Sequence, residues 1–408
     1  MNIEEIACEC EKEIRPYFDR IEKIAYENQK RVLDAFAKYK VSAEDLLGTT
    51  GYGYGDRGRD KLESIYAELF GTESAFVRHS VISGTHALAL SLFGLLRPSD
   101  TMLSISGKPY DTLDELISGK NGDGSLSDFG INYKQTELID GRKFDFEKIE
   151  KELTPDVKVV YVQRSKGYLD RATLSAEEIG EAVKFVKARS NAYFVVDNCY
   201  GLFTETVEPT HFGADLCIGS LIKNAGGGVA RTGGYIVGTK RAVELVSYRA
   251  TAPGIGGESG ASLDENKFMY KGLFMAPHTV LQALKTAIFA AAMFEKMGYE
   301  TLPKSSDERF DIIQLIRLGD ADKLCAFCKG LQKASPIDSF AEPVPDDMAG
   351  YADKVIMAAG AFVMGSSIEL SADAPLRKPY NVYFQGGLTY ESGKVGIIAA
   401  AKAVSEIK

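Results

Sequence analysis

The chain has 408 residues and a formal net charge of −9 at neutral pH. This length exceeds one ordinary hydrophobic core, so we expect two or three domains. The composition excludes disordered and fibrous proteins, and the acidic balance argues against nucleic acid as a main partner. The longest apolar run, residues 287–294, is too short to cross a bilayer, so we expect no membrane partner.

Location and metal content are predicted from the N-terminus and the cysteines. The first residues are acidic and lack the apolar stretch of a secretory signal. Six cysteines in a long acidic chain are typical of reduced thiols in a cytoplasmic protein. Cys325 and Cys328 form a close pair, but a zinc site would need a second well-spaced pair and the chain has four histidines. We therefore predict no metal site.

The first fifty residues are predicted to form a helical arm. Ile14, Phe18 and Ile21 recur at helical spacing, with charged residues between them. The arm has too little apolar surface to stand alone. We expect residues 1–50 to pack on the body of the protein or on another subunit.

A glycine-rich segment follows at residues 49–60, with four glycines, two tyrosines and two arginines. One interpretation is a flexible loop. The other is a loop whose Arg and Tyr side chains bind an anion, since the guanidinium presents a planar fork of donors. A helix from Asp60 to Phe70 is predicted next, with Gly71 as its C-cap.

Strand and helix patterns alternate between residues 70 and 240, which predicts a mostly parallel sheet with crossover helices. The predicted strands are residues 74–78, 102–105, 157–162, 193–197 and 232–238. The predicted helices are residues 87–96, 146–153 and 175–189, the last with a capping box at Ser175 and Glu178.

Two positions near predicted strand ends could bind a planar phosphate ester. Residues 83–86, Ser-Gly-Thr-His, begin an apolar helix, and a helix N-terminus offers free N–H groups to phosphate. Taken alone, the same residues are also an ordinary N-cap. Tyr110 could stack on a planar ring or simply cap the core.

The strongest chemical signal is a lysine and an aspartate that end two apolar runs. Asp197 ends Tyr193-Phe194-Val195-Val196, and Lys223 follows the run from Leu216 into a glycine-rich turn. Open α/β sheets bind ligands beyond the carboxyl ends of their strands. A lysine that forms a Schiff base and an aspartate that keeps a pyridine nitrogen protonated are the requirements of pyridoxal 5'-phosphate chemistry.

The remainder is predicted to be an α+β domain. The glycine-rich segment 251–262 is the predicted junction, which gives domains at residues 51–255 and 256–408. We predict helices at 280–297, 310–316 and 322–333, and strands at 354–357, 361–364 and 382–384.

The chain resembles fold-type I pyridoxal-phosphate enzymes of the cystathionine β/γ-lyase group, and is most similar to their bacterial aluminium-resistance branch. The resemblance extends from Gly51 to Tyr390. The motifs that carry it are residues 51–54 with 58–60, 83–87, 109–113, 219–224, 282–286 and 385–388.

The resemblance implies roles for the cofactor-binding residues. Lys223 would carry the Schiff base, Asp197 would pair with the pyridinium nitrogen, and Tyr110 would stack on the ring. The amides of Gly84 and Thr85 and the hydroxyl of Ser220 would bind the phosphate.

The resemblance also implies a homodimer or homotetramer with shared active sites. In the wider family a Tyr and an Arg of the neighbouring subunit reach the phosphate. Tyr52 or Tyr54, with Arg59 or Arg57, would supply them here, and we favour Arg59.

This chain departs from the family pattern at two places. The lyases have an Asn near the ring hydroxyl, where this chain has Gln163-Arg164-Ser165 and either Arg164 or Ser165 could substitute. The lyases bind the substrate carboxylate with a C-terminal Arg. Gln385 stands at that position here, and Arg377 is the nearest arginine candidate.

The implied activity is a carbon–sulfur lyase that performs β- or γ-elimination on an amino acid such as cystathionine, cysteine or methionine. Lys223, neutral when desolvated, would take the α-proton. The alternatives are an aminotransferase or aldolase reaction on the same scaffold, or a cofactor-binding stress-response protein with little catalysis. The aluminium phenotype implies no metal site.

Overall fold

The computed structural model describes residues 2–119, 122–348 and 353–407. Within these residues the chain forms eleven α-helices and twelve strands. The helices are α1 (Ile3–Glu13), α2 (Arg15–Lys38), α3 (Arg57–Phe70), α4 (Gly84–Leu95), α5 (Asp111–Ser118), α6 (Phe146–Glu152), α7 (Ala176–Lys187), α8 (Lys240–Ala250), α9 (Asn266–Lys296), α10 (Ala321–Lys333) and α11 (Tyr390–Ser405). The strands are β1 (Ser74–Arg78), β2 (Thr101–Ser104), β3 (Asn132–Gln135), β4 (Val157–Gln163), β5 (Tyr193–Asp197), β6 (Leu216–Ser220), β7 (Gly234–Gly238), β8 (Glu300–Leu302), β9 (Ile313–Arg317), β10 (Val355–Ala358), β11 (Ser371–Pro375) and β12 (Asn381–Gln385).

The main sheet has the described strand order β1-β7-β6-β5-β4-β2-β3. Its central pairs are parallel, whereas β7 runs antiparallel to β1 and β6. Residues of β4 alternate between two hydrophobic clusters: Val160 and Val162 face one, and Val159 and Tyr161 face the other. Both faces are therefore covered, as a parallel sheet requires. The predicted mostly parallel α/β sheet is confirmed.

Register brings polar residues to one edge of this sheet. Asp197 of β5 pairs with Gln163 of β4 and with Ile218 of β6. Strands β4 and β5 thus end at the same level, and β6 continues two residues beyond Ile218 to Ser220. Side chains that follow these strand ends converge above the sheet, where open α/β proteins bind ligands.

A second, antiparallel sheet of order β10-β11-β12-β9-β8 follows α9. Two predictions in this region are wrong. The predicted helix 310–316 is largely β9, because its continuous apolar run Ile313–Ile316 pairs with β12 and is buried within the sheet. The predicted strand 361–364 lies in a bend, and the strand that pairs between β10 and β12 is Ser371–Pro375.

The predicted N-terminal arm consists of α1 and α2, which pack against α9 and α11. Lys296 of α9 lies 2.9 Å from Glu9 and 2.8 Å from Glu13 of α1. The Nζ of Lys394 in α11 lies 2.7 Å from Glu11. The arm therefore contacts the body of its own chain, one of the two predicted outcomes.

Helix α3 begins three residues earlier than predicted. The Asp56 carboxylate accepts a hydrogen bond from the Arg59 backbone N–H and so caps the helix at Arg57. The predicted C-cap is confirmed, since Gly71 has the left-handed φ of 62°. In the described parts of the chain, no helix combines the length and apolar character needed to cross a membrane.

Candidate active site

A cavity of about 430 Å³ opens at the carboxyl edge of the main sheet. Its wall combines residues that follow the strands of this sheet with residues of the C-terminal sheet. The volume lies within the range of small-molecule sites. Asp197, Lys223 and Tyr110 line this one cavity.

Lys223 enters the cavity from the turn after β6. A Cβ on Gly226 would lie 1.7 Å from the Leu221 carbonyl oxygen, so the turn needs glycine there. The Lys223 Nζ lies 4.0 Å from the centre of the Tyr200 ring, a cation–π contact. Burial acts to lower the pKa of Lys223, but Tyr200, Cys199 and Asp197 raise it by more, so the net shift is upward. In this arrangement the amine is protonated at neutral pH, contrary to the expectation from desolvation alone.

Asp197 is the last residue of β5 and is 6% exposed. Its Oδ1 accepts a hydrogen bond of 3.0 Å from the Cys199 N–H, and its Oδ2 accepts one of 3.5 Å from the Tyr161 hydroxyl. Burial raises the pKa of Asp197, and the Cys199 N–H and the Lys223 charge oppose that rise. The carboxylate is therefore oriented by its neighbours and has a cation close by.

The start of α4 forms a second part of the wall. The Ser83 side chain caps the helix by accepting from the His86 N–H. The N–H groups of Gly84 and Thr85 belong to the first turn, where intrahelical acceptors do not exist. Ser220 also lines the cavity, and a Cβ on Gly84 would lie 3.4 Å from the Ser220 Cβ. Donors and a positive helix end thus face the cavity together.

Tyr110 is held at the edge of β4 by two hydrogen bonds. Its backbone N–H donates to the Gln163 Oε1 at 2.9 Å. Its hydroxyl lies 2.9 Å from the Thr85 Oγ1. Burial raises the pKa of Tyr110, and the charge of Asp197 raises it further. The ring is therefore neutral and fixed between the first turn of α4 and the end of β4.

Arg164 and Ser165, the two residues predicted to replace the asparagine of the lyases, have different positions relative to the cavity. Arg164 is buried outside the cavity, where its guanidinium binds Glu205, Glu208 and the Asn198 side chain. Because its charge is neutralised there, Arg164 cannot serve the cavity, and that half of the prediction is wrong. Ser165 does line the cavity, and its hydroxyl donates to Asp311 at 2.7 Å.

The two carboxylate-binding candidates both line the cavity. Gln385 is buried, and its Nε2 donates to the Ser367 carbonyl at 2.9 Å. Arg377 is half-exposed and pairs with Asp353 at 3.3 Å. Arg377 thus stands nearer to solvent, whereas Gln385 is fixed in the wall.

Tyr52, Tyr54 and Arg59 lie away from the cavity of their own chain. The two tyrosine rings are exposed and stacked with centres 5.5 Å apart. Arg59 is 2% exposed, and its Nη1 donates at 2.8 Å to the carbonyls of Gly53 and Gly260. The Arg59 guanidinium, which was predicted to reach the phosphate of a neighbouring subunit, is therefore occupied by carbonyls of its own loop and of residues 251–262, whereas the two tyrosines are exposed.

A family model described as methionine gamma-lyase matches residues 3–405. The chain belongs to the methionine gamma-lyase family. The Bacillus subtilis protein YnbB, described as uncharacterized, is 49% identical over 407 residues, which are 99% of this chain and 97% of that protein. A solved structure from Clostridium novyi, described as a carbon-sulfur lyase involved in aluminum resistance, is 49% identical with a TM-score of 0.94. The alignment covers 98% of this chain and 94% of that chain.

A more distant structure supports the fold. The Escherichia coli protein YhfS, described as pyridoxal-5'-phosphate dependent, matches with a TM-score of 0.63 over 95% of this chain and 97% of that chain. At 14% identity this match shows the fold alone. The predicted fold-type I architecture and the resemblance to the aluminium-resistance branch are confirmed. Among the described residues of this family member, no group of three or more His, Cys, Asp or Glu could hold a metal ion.

Tyr200, Lys166 and Asp373 are among the cavity residues that were not predicted from the sequence. Tyr200 follows the Asp197 strand by three residues, so its position after a polar strand end was a usable signal. Lys166 lies in the loop after β4. Asp373 lies on β11, whose Ser-Ala-Asp-Ala-Pro sequence has no β-branched residue to indicate a strand.

Lys166 yields a prediction about the stability of this family member. Its side chain is fully buried and donates to the Leu302 carbonyl at 3.1 Å. Burial lowers its pKa from about 10.4 to about 8. Unfolding restores the higher pKa. The buried ammonium therefore lowers the free energy of unfolding by its full amount below pH 8, and this destabilisation fades as the pH rises towards 10.4.

We therefore expect Lys166→Met to stabilise the cofactor-free protein at pH 7 by about 1–3 kcal/mol. The gain in melting temperature should shrink between pH 8 and pH 10. Differential scanning calorimetry of both proteins across that range tests it, with exposed Lys158→Met as the control. A gain that is constant with pH would contradict the lowered pKa of Lys166.

Proposed function

We propose that the protein is a pyridoxal-5'-phosphate-dependent carbon–sulfur lyase that releases a thiol from a sulfur-containing amino acid. The observation that carries the proposal is the presence of Lys223 and buried Asp197 in one cavity, beside the N-terminus of α4. Membership of the methionine gamma-lyase family supports the lyase class. The described activity of the Clostridium novyi relative supports the carbon–sulfur bond as the target.

The residues present fit pyridoxal phosphate. A Cβ on Gly84 would lie 2.7 Å from the Cys199 Sγ, so only glycine leaves the first turn of α4 this close to the strand ends. We assign the phosphate to the N–H groups of Gly84 and Thr85 and to the Ser220 hydroxyl. The ring would lie against Tyr110, with its nitrogen at Asp197 and its aldehyde carbon at Lys223.

When bound, pyridoxal phosphate supplies an electrophilic carbon for the substrate amine and a ring that accepts the electron pair of the α-carbon. Asp197 holds a proton at the ring nitrogen, since its buried carboxylate is stabilised by a cationic partner. Lys223, once neutral, takes the proton from the α-carbon as the general base. The neighbouring Tyr200 ring stabilises the ammonium that Lys223 then carries.

The substrate carboxylate has two candidate partners. Arg377 offers a bidentate ion pair at the cavity mouth, and the Gln385 amide offers a single hydrogen bond from the wall. Ser165 keeps its proposed place near the ring hydroxyl. We propose a cytoplasmic homodimer or homotetramer in which the exposed Tyr52 and Tyr54 reach the phosphate of a neighbouring subunit. Arg59 then acts by holding their loop.

The reaction consumes one water and gives one 2-oxo acid, one ammonia and one thiol. The test is a panel of methionine, cysteine and cystathionine, incubated with purified protein saturated with pyridoxal phosphate. We expect equal amounts of the three products from at least one substrate. Pyruvate would indicate β-elimination and 2-oxobutyrate γ-elimination.

The same panel separates the alternatives. Consumption of an added 2-oxo acid with transfer of the amine, and without thiol, would identify an aminotransferase. A protein that binds the cofactor covalently but releases no product from any substrate would be a binding protein. Either result would overturn the lyase proposal.

A further inference from the structure

Tyr200 lies beside Lys223 in the cavity, but only its ring has a part in the proposed chemistry. The turn that contains Tyr200 is joined to the lysine turn by Asn224, whose Nδ2 donates to the carbonyls of Tyr200 and Leu202, each at 2.9 Å. Asn224 is buried and directly follows Lys223 in the chain. The backbone therefore holds the Tyr200 ring against the lysine amine, whose Nζ lies 4.0 Å from the ring centre.

The hydroxyl of Tyr200 lies between two other side chains of the cavity wall. Burial raises the pKa of Tyr200, while the charge of Lys223 and hydrogen bonds with the side chains of Lys223 and Gln385 lower it. In turn, Tyr200 makes the largest of the contributions that raise the pKa of Lys223. The hydroxyl thus connects the lysine amine to the Gln385 amide.

Gln385 is held so that its amide oxygen is left for the Tyr200 hydroxyl. Its Nε2 donates to the Ser367 carbonyl at 2.9 Å, and its backbone lies in β12, which is paired on both sides. A phenol has one proton, so a hydrogen bond donated to the Gln385 Oε1 leaves the lone pairs of the hydroxyl for the N–H groups of Lys223. Gln385 therefore decides which way the hydroxyl points.

We propose that Gln385 is a positioning residue, which fixes the Tyr200 hydroxyl as a hydrogen-bond acceptor for Lys223 and does not bind the substrate carboxylate. This inference rests on the proposed function and decides between its two carboxylate candidates in favour of Arg377. Arginine has no acceptor atom, so an arginine at position 385 could not orient the hydroxyl in this way. The departure from the lyase pattern at this position then has a role of its own.

The hydroxyl affects the strength of Lys223 as a base. An acceptor beside the amine favours its protonated form, so a proton taken from the α-carbon is held more tightly. Loss of the acceptor lowers the pKa of Lys223, which weakens the base but increases the neutral fraction of the amine at a given pH. Two opposite effects follow: slower proton transfer, and faster reaction of the free amine with pyridoxal phosphate.

The first test is Tyr200→Phe, which keeps the ring beside the amine and removes the hydroxyl. On a substrate of the panel that releases 2-oxo acid, we expect kcat to fall about 10- to 100-fold and KM to change by less than about threefold. In protein prepared without cofactor, covalent attachment of pyridoxal phosphate to Lys223 at neutral pH should be about 3- to 10-fold faster than in the wild type. Borohydride quenching and the mass of the labelled peptide measure that rate.

Gln385→Met should show the same two changes, because the hydroxyl loses its orientation. The double variant with Tyr200→Phe should match Tyr200→Phe alone within about twofold, since both substitutions act through one hydroxyl. Tyr383→Phe is the matched control, because it removes from the same cavity a hydroxyl that donates to the Tyr168 carbonyl at 2.6 Å. It should keep the kcat and the attachment rate of the wild type, and melting curves confirm that each variant is folded.

A rise in KM of about tenfold or more in Gln385→Met, with unchanged kcat, would make Gln385 a carboxylate ligand and overturn the proposal. Attachment that is unchanged or slower in Tyr200→Phe would also overturn it, as would single losses of kcat that multiply in the double variant. If the wild type releases 2-oxo acid from no substrate, the lyase function fails. The attachment rates of the same variants then still support or overturn the link from Gln385 through Tyr200 to Lys223.

Discussion

Lys223→Ala is expected to reduce 2-oxo acid release by at least about 10³-fold, because the variant loses both the attachment point and the base. Its Nζ lies over the Tyr200 ring in the cavity that also contains Asp197. Alanine replaces the whole aminoalkyl side chain with a methyl group, and a water molecule in the vacated space cannot form the lost covalent bond. Added primary amines such as methylamine should restore a small part of the rate by acting as external bases.

Covalent trapping separates Lys223 from the other lysines of the cavity, Lys108 and Lys166. Borohydride reduction of the holoenzyme followed by peptide mass spectrometry should place the pyridoxyl group on Lys223. Lys108→Ala serves as the matched control and should retain both the label and the activity, since Lys108 is half-exposed and paired with Asp114. A pyridoxyl label on the Lys166 peptide, or substantial turnover by Lys223→Ala, would remove Lys223 from its assigned role.

Asp197→Asn is expected to lower kcat by about 10²–10⁴-fold while the variant still binds pyridoxal phosphate. The amide has the shape of the carboxylate and can keep the hydrogen bond from the Cys199 N–H. It cannot hold a positive charge on the ring nitrogen, so the ring becomes a weaker acceptor of electrons. The phosphate contacts assigned to α4 and Ser220 are unchanged by this substitution.

The loss in Asp197→Asn should appear in kcat rather than in cofactor occupancy, which absorbance after dialysis measures. Asp111→Asn is the control, because Asp111 lines the same cavity but lies at the start of α5 and away from the strand ends. Its kcat should stay within about threefold of the wild type. A kcat for Asp197→Asn equal to that of the wild type would exclude the electron-sink role.

The sequence was sufficient for the central strands of the main sheet because their signals are local, whereas the edge strand β3 was not predicted. A β-branched run that ends on Asp197 and a glycine-rich turn after Lys223 each indicate a strand end, and parallel pairing brings the two ends together. The C-terminal sheet was harder to predict. Residues 313–316 form an apolar run that fits a helix or a strand, and antiparallel pairing with β12 decides the outcome.

The part of the cavity wall that the C-terminal sheet forms depends on long-range contacts, which a local sequence pattern does not indicate. Asp373 reaches the cavity because β11 pairs between β10 and β12 and places it opposite Tyr383. Arg164 and Ser165 are adjacent in sequence, yet their side chains face opposite directions from the end of β4. Such directions follow from the register of the strand and cannot be read from composition.

The arm gives the chain an unusual order of assembly. Glu4 in α1 accepts from the Lys402 Nζ at 2.5 Å, across 398 positions of sequence. A ribosome releases α1 and α2 long before α9 and α11 exist, so the first helices are made before the surface on which they dock. Closing a loop of that length costs only slightly more entropy than closing a shorter one, but docking of α1 on α11 must still follow synthesis of the last helix. Newly made chains should therefore pass through a stage in which the apolar face of α1 and α2 is exposed to chaperones.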